Sequence, residues 1–392
     1  MSRMVIVGAG EAGVRAAFAL REAGHEGPVT LLSGEDALPY ERPPLSKEGA
    51  GARPIRPGAA YAEAGIDLRL GAFTKSIDAE GRAVEVDGER LPFDALLLAT
   101  GARARAIPAL DGCLTLRTDR DAAAILSRLS PGARLGVIGG GFIGLELAAL
   151  ARARGAEVTV VEAAPRLMAR AVPAAIAERV AARHRAEGVD LRLGAAVAHA
   201  DASSITLATG ETLSFDCVVA GVGAAPETAL AEDAGIDCED GILVDARFET
   251  SAPGIFAAGD CCRFPWRGAR VRLESWRAAQ DMGAHAARAM LGARDPYARH
   301  AWFWSDQYDL GLQVAGLWDP AGEAIARDGD GSLVLFQRDV DGRLAAAAGV
   351  GPGQSVAKDI KLAERLIERG ARIEAGALAD PDTNLKRLLK AA

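Results

Sequence analysis

The 392-residue chain reads as an α/β protein with two three-layer units of one plan, followed by an α+β domain. Two stretches and one change of composition carry this reading. Residues 133–162, ARLGVIGGGFIGLELAALARARGAEVTVVE, run as apolar strand, glycine turn, helix, strand and closing acid. Residues 1–33 repeat the pattern more weakly as MSRMVIVGAGEAGVRAAFALREAGHEGPVTLLS. From Pro296 the texture changes: Trp302, Phe303, Trp304 and Tyr308 crowd together, and a strand region over 331–350 precedes a charged helix over 357–369.

The opening run RMVIVG is short, apolar and β-branched, as suits a parallel strand buried on both faces. It leads into Gly8-Ala9-Gly10-Glu11-Ala12-Gly13 and a helix that ends near Gly24. In such a G-x-G-x-x-G turn the first glycine permits the turn, the second lets a pyrophosphate approach the backbone, and the third lets helix pack on strand. The helix N-terminus offers N–H donors and partial positive charge to phosphate. Gly139-Gly140-Gly141-Phe142-Ile143-Gly144 repeats the arrangement with the context complete, since Glu162 closes the following strand. An acid there accepts from both adenosine ribose hydroxyls and repels a 2′-phosphate, which selects NAD over NADP. Each unit is therefore expected to be a Rossmann-like, dinucleotide-binding domain.

Between these landmarks the chain is less explicit. The second strand, PVTLLS, ends at Ser33 where a ribose-binding acid is expected; Glu35 and Asp36 follow, and Glu35 is the favoured contact, against a reading of both as solvated loop charges. The segment Leu38–Lys47, LPYERPPLSK, carries adjacent prolines that exclude helix interior and central strand. Arg42 and Lys47 on this rigid loop could face a phosphate or a flavin, although a proline-stiffened surface loop fits equally when the segment is read alone. Residues 59–91 suggest a small β insertion. FDALLLATG (93–101) is a buried strand whose Ala99, Thr100 and Gly101 end in a tight turn suited to a cofactor or simply to a strand end.

Beyond the second glycine turn, Glu146 lies one helical turn in, near a nicotinamide or serving the helix dipole. Arg166 reads best as a surface charge. The run CVVAGVGAAP ends a strand at Gly221 and Gly223, and IFAAGD places Gly259 and Asp260 after another, where Asp260 accepts from a sugar-like hydroxyl or caps a helix. RLESW brings Ser275 and Trp276 to the start of a helix whose N-terminus suits a flavin carbonyl. The aromatic cluster reads mainly as core, with Trp304 the member that could face a flavin or a partner.

Composition narrows the class. A net charge of −8 argues against a general nucleic-acid binder. The longest apolar runs fall short of the roughly 20 residues that span a bilayer, and a first strand at Arg3 or Met4 leaves no room for a cleavable leader, so a cytoplasmic location is expected. Five cysteines without a C-x-x-C and five scattered histidines argue against a disulfide framework, a dithiol pair and a metal site.

Taken together, GAGEAG, LPYERPPLSK, LLLATG, VIGGGFIGLE, IFAAGD, RLESW and WFWSDQYDL resemble, in order and over nearly the whole chain, the NADH-dependent ferredoxin reductases of bacterial oxygenase systems. These are flavoproteins of the glutathione-reductase fold; LPYERPPLSK and WFWSDQYDL are the specific segments. The resemblance implies FAD on the N-terminal unit and Asp260, NADH on the central unit, and a 2Fe-2S ferredoxin as acceptor, in a monomer or homodimer. It implies Lys47 beside the flavin N5 edge, Glu146 near the nicotinamide, and Trp276 and Trp304 around the isoalloxazine. It divides the chain into FAD-binding segments 1–110 and 239–297, an NAD-binding domain 111–238 and a C-terminal domain 298–392. Ser33 departs from the usual acid, which leaves the adenosine contact open. Arg53, Arg56, Arg263, Arg267, Arg270 and Arg294 are candidate contacts for an acidic ferredoxin or are solvated charges. Two alternatives share the fold: an NADH oxidase or peroxidase, whose reactive cysteine is missing from 40–47, and an NADH-sensing flavoprotein similar to apoptosis-inducing factor.

Overall fold

The computed structural model describes residues 1–49 and 51–391. The chain divides into two compact units, Met1–Arg42 with Ala52–Arg103 and Ala224–Arg299, and Pro43–Gly51 with Ala104–Gly223 and His300–Ala392.

The first unit is organised by a five-stranded parallel sheet in the order Ile255–Ala257, Ala95–Leu98, Met4–Val7, Val29–Leu32, Ile66–Arg69. MVIV and ALLL are buried at every position, as their unbroken apolar runs require of strands covered on both faces. Helices Glu11–Glu22 and Trp276–Met290 pack together, and they do so at backbone distance: a Cβ on Gly283 would stand 2.2 Å from the carbonyl oxygen of Ala12. Residues 59–91 differ from expectation. Only Thr74–Asp78, Ala83–Val86 and Glu89–Pro92 form the β insertion, while Gly58–Glu63 is helical and Ile66–Arg69 joins the main sheet. IDLR is buried only at Ile66, in contrast to MVIV and ALLL, because it is the edge strand.

The second unit holds a four-stranded parallel sheet, Asp190–Leu193, Glu157–Glu162, Arg134–Ile138, Cys217–Ala220, with a meander of Val197–Ala200, Ser204–Leu207 and Thr212–Ser214. Helix Asp119–Leu126 begins at a capping box between Thr118 and Asp121. A five-stranded antiparallel sheet follows, in the order Trp302–Gln307, Leu310–Gly316, Leu344–Pro352, Leu333–Arg338, Ala324–Asp328. One of its faces packs on helix Ala357–Glu368 through Ala347, Val356, Ile360 and Leu366. The other, through Leu312, Val314, Leu335 and Val350, meets Leu145 of helix Phe142–Ala153 and Ile176 and Val180 of helix Ala174–Ala186.

The proline-rich loop also departs from expectation. Pro44–Lys47 closes one helical turn with proline at its start, where no N–H is needed, and Tyr40–Glu41 pairs with Arg53–Pro54. Among the described residues no helix is long and apolar enough to cross a membrane, and no cluster of His, Cys, Asp and Glu could hold a metal.

Candidate functional site

The two glycine turns are built alike, and each glycine does a different job. At Gly8, φ is +103° and a Cβ would stand 2.2 Å from the Ala99 carbonyl oxygen. At Gly13 it would stand 1.9 Å from the oxygen of Gly8, but at Gly10 it would meet nothing within 4 Å. The second turn repeats this: Gly139 has φ +102° with a Cβ 2.4 Å from Gly221 oxygen, Gly144 would meet Gly139 oxygen at 2.4 Å, and Gly141 faces open space. Two positions thus serve packing and the middle one leaves a clear approach to the helix N-terminus, which is what a bound pyrophosphate needs. Both turns fit a dinucleotide.

Around the first turn lie the other residues expected there. Ala12 backs onto Gly259, whose Cβ would come 3.0 Å from it, and Asp260 follows in the turn after Ile255–Ala257 rather than capping a helix. Thr100 donates its hydroxyl to Glu227 oxygen at 2.6 Å, and Gly101 takes φ +73°. Ser275 accepts from the Ala278 N–H and so caps the helix that Trp276 opens. Glu11 starts the first helix and accepts from Gln280 at 3.3 Å; burial pushes its carboxyl up to about 7. Glu35, the favoured adenosine contact, accepts from Arg42 at 2.9 Å and from the Tyr40 hydroxyl at 2.6 Å. The Arg42 guanidinium lies over the Tyr40 ring, so this loop is braced by its own charges.

Around the second turn, Glu162 is held by two backbone donors, Gly140 and Ala164, each at 2.7 Å. Its carboxylate is therefore fixed at the end of the strand beside the glycine turn. Arg166 donates to the carbonyls of Leu167, Ala169 and Val172, which commits its guanidinium to the local backbone. Phe142 packs edge-on against Phe303, while Ile143 is exposed. Gly221 lies close to Ile138 oxygen, and Gly223 takes φ +104°.

Lys47 and Glu146 form an enclosed charged pair in this unit. The Lys47 ammonium is 2.5 Å from Glu146 Oε1 and 5.6 Å from the centre of the Trp304 ring, and Trp304 stacks with Trp302. Glu146 is buried in mid-helix, and it also accepts from the hydroxyls of Ser46 (2.5 Å) and Ser305 (2.6 Å). Ser46 and Ser305 were not among the expected site residues. Neither type suggests a site by itself, and only the fold brings 46, 146 and 305 together. The thiols of Cys261 and Cys262 are fully buried and pushed up by that burial, in keeping with small core residues.

Residues 2–283 match the family described as pyridine nucleotide-disulphide oxidoreductase, and residues 302–389 match the reductase C-terminal domain. The chain is 40% identical over 405 residues to the ferredoxin–NAD(+) reductase component of the anthranilate 1,2-dioxygenase system of Burkholderia cepacia, covering 98% of each. It is 38% identical over 400 residues to the corresponding component of the p-cumate 2,3-dioxygenase system of Pseudomonas putida, again covering 98% of each. Among solved structures it is similar to putidaredoxin reductase in a covalent complex with putidaredoxin, with a TM-score of 0.94, 33% identity, and coverage of 100% of this chain and 99% of that one. The glycine turns and these full-length matches agree, and the chain belongs to the pyridine nucleotide-disulphide oxidoreductase family, with a reductase C-terminal domain.

Proposed function

We propose that the protein is a cytoplasmic, FAD-dependent NADH:ferredoxin oxidoreductase that supplies an oxygenase through a 2Fe-2S ferredoxin. The observation that carries this reading is the full-length similarity to ferredoxin–NAD(+) reductase components, together with two separate glycine turns that each keep the middle position clear. FAD supplies the conversion between a two-electron donor and a one-electron acceptor.

The chain's own residues supply binding and electrostatics. FAD is assigned to Gly8, Gly10, Glu11, Ala12 and Gly13, with Ala99–Gly101, Gly259, Asp260, Ser275 and Trp276, over segments 1–110 and 239–297. NADH is assigned to Gly139, Gly141, Phe142, Ile143 and Gly144, with Gly221 and Gly223, over 111–238; residues 298–392 contribute Trp304. Glu162, fixed by two N–H groups, supports a preference for the ribose hydroxyls of NADH over the 2′-phosphate of NADPH. Lys47 and Glu146 are assigned to the redox end of the site. The ammonium is a fixed positive charge that favours an anion beside it, and Glu146 sets its position.

An anaerobic titration of the purified protein tests this. Expected are a flavin absorbance near one per chain, bleaching by one equivalent of NADH, and reoxidation by added ferredoxin over many turnovers. Bound flavin that NADH does not bleach, or bleaching without turnover on any ferredoxin tried, would contradict it.

A further inference from the structure

The Glu146 carboxylate is the end of a longer buried chain. Ser305 Oγ, 2.6 Å from Glu146 Oε1, is 3.0 Å from Gln307 Nε2; Gln307 Oε1 is 2.8 Å from His184 Nε2; His184 Nδ1 is 3.2 Å from the Tyr308 hydroxyl. Glu146, His184, Ser305 and Gln307 are all buried. Strand period explains the alignment: Phe303, Ser305 and Gln307 share one face of Trp302–Gln307, the face toward Phe142, Glu146 and His184 of the two helices.

The polarity of the chain follows from its end. An ionised carboxylate only accepts, so Ser305 donates to it; Ser305 must then accept from the Gln307 amide, whose oxygen must accept from His184 Nε2–H. Neutral His184 is left with Nδ1 to accept from Tyr308. Burial holds the imidazole below its ordinary pKa, consistent with that neutral form. Every hydrogen bond therefore points toward Glu146, the arrangement in which successive bonds polarise one another. Aliphatic side chains would fill this space at lower desolvation cost, as Leu145, Leu312 and Leu335 do nearby.

The far end is anchored at a conformational cost. Tyr308 takes φ +57° at the first central position of the two-residue turn between Gln307 and Leu310, a place that glycine fills without strain. Its ring meets His184 edge-on and lies under the Arg183 guanidinium.

We propose that His184 is a positioning residue for the Lys47–Glu146 pair, acting through Gln307 and Ser305. The aligned donors offset part of the Glu146 charge and fix the carboxylate that places the Lys47 ammonium. This rests on the assignment of that pair to the redox end of the site. With the chain broken, Glu146 is less compensated, the net field beside the flavin is less positive, and the flavin is harder to reduce.

The test compares the intact holoenzyme with His184→Phe, Gln307→Met and His184→Gln, the last keeping a donor near the place of Nε2. Expected for His184→Phe and Gln307→Met are a more negative flavin midpoint potential by dye equilibration and roughly three- to tenfold slower reduction by NADH, in line with weakening one hydrogen bond to a charged group. His184→Gln should return toward the unmodified values. Nitrogen NMR of the unmodified protein should show neutral His184 with its proton on Nε2. Unchanged potentials in both His184→Phe and Gln307→Met, equal impairment in His184→Gln and His184→Phe, or a proton on Nδ1 would overturn the proposal. A wild-type protein that NADH does not reduce would instead sink the proposed function, and the NMR measurement would still decide whether the chain is polarised as argued.

Discussion

Lys47 and Glu146 lie 99 positions apart and meet at 2.5 Å, with Ser46 and Ser305 donating to the same carboxylate. The lysine stands on a single helical turn that two prolines start, and the glutamate on the helix that begins at the second glycine turn. A flexible cation is thereby converted into a fixed one. Lys47→Met should slow flavin reduction by NADH on the order of 10²-fold, the usual scale for losing one preorganised electrostatic contact, with a smaller effect on KM than on kcat. Glu146→Gln, which keeps shape but removes charge, should cost less than Glu146→Ala. Stopped-flow reduction of the three variants at saturating NADH checks the order.

The glycines separate fold from binding. Gly13→Ala and Gly144→Ala would drive a Cβ against backbone oxygens that cannot yield, at 1.9 Å and 2.4 Å, and should destabilise the protein by several kcal/mol or prevent folding, as for other overpacked sites. Gly10→Ala projects into open space, so its cost should fall on FAD retention. Melting temperature and flavin content, measured on the same preparations, should move together for Gly13→Ala and apart for Gly10→Ala.

Much of this was legible in the sequence because the signals are local. Apolar runs such as MVIV and ALLL, each closed by a glycine turn, announce buried parallel strands, and Glu162 announces itself by ending one. What was not legible depends on distant segments meeting. His184 looks like any helix residue, and WFWSDQ mixes aromatic and polar residues on both faces, so no hydrophobic period marks Ser305 and Gln307 as facing inward. Ile66–Arg69 was hidden for a related reason: an edge strand is only partly buried, so IDLR carries charges that made it look like part of the insertion. The helical turn Pro44–Lys47 was not foreseen either: the adjacent prolines excluded a helix interior, and a proline in the first turn, with no hydrogen bond to lose, respects that exclusion.

Nucleotide choice should follow Glu162. Its two oxygens accept from Gly140 and Ala164, and Arg166 is spent on three carbonyls, so its guanidinium is not offered to a 2′-phosphate. Glu162→Ala should narrow the ratio of kcat/KM for NADH over NADPH by roughly tenfold, on the scale of one or two hydrogen bonds lost. Steady-state rates with both nucleotides measure this.

Glu11 should give the cofactor-free protein a pH-dependent stability. Burial, offset in part by Gln280, raises its carboxyl to about 7 in the folded state, against about 4.3 in an unfolded chain. Between those values the folded protein binds the extra proton, so this contribution to stability is lost as pH rises through the window and the penalty is complete above it. Glu11→Gln should remove that slope. Melting curves at pH 5 and pH 8 should show a larger loss in the unmodified apoprotein than in the variant.

The most direct measurement of the central claim is the stoichiometry of electron transfer under anaerobic conditions, with limiting NADH and excess 2Fe-2S ferredoxin. Two ferredoxins reduced per NADH consumed, through a flavin that returns to its oxidised form at the end of each cycle, is the expected result. NADH consumption that leaves ferredoxin oxidised, or that proceeds only when oxygen is admitted, would contradict it.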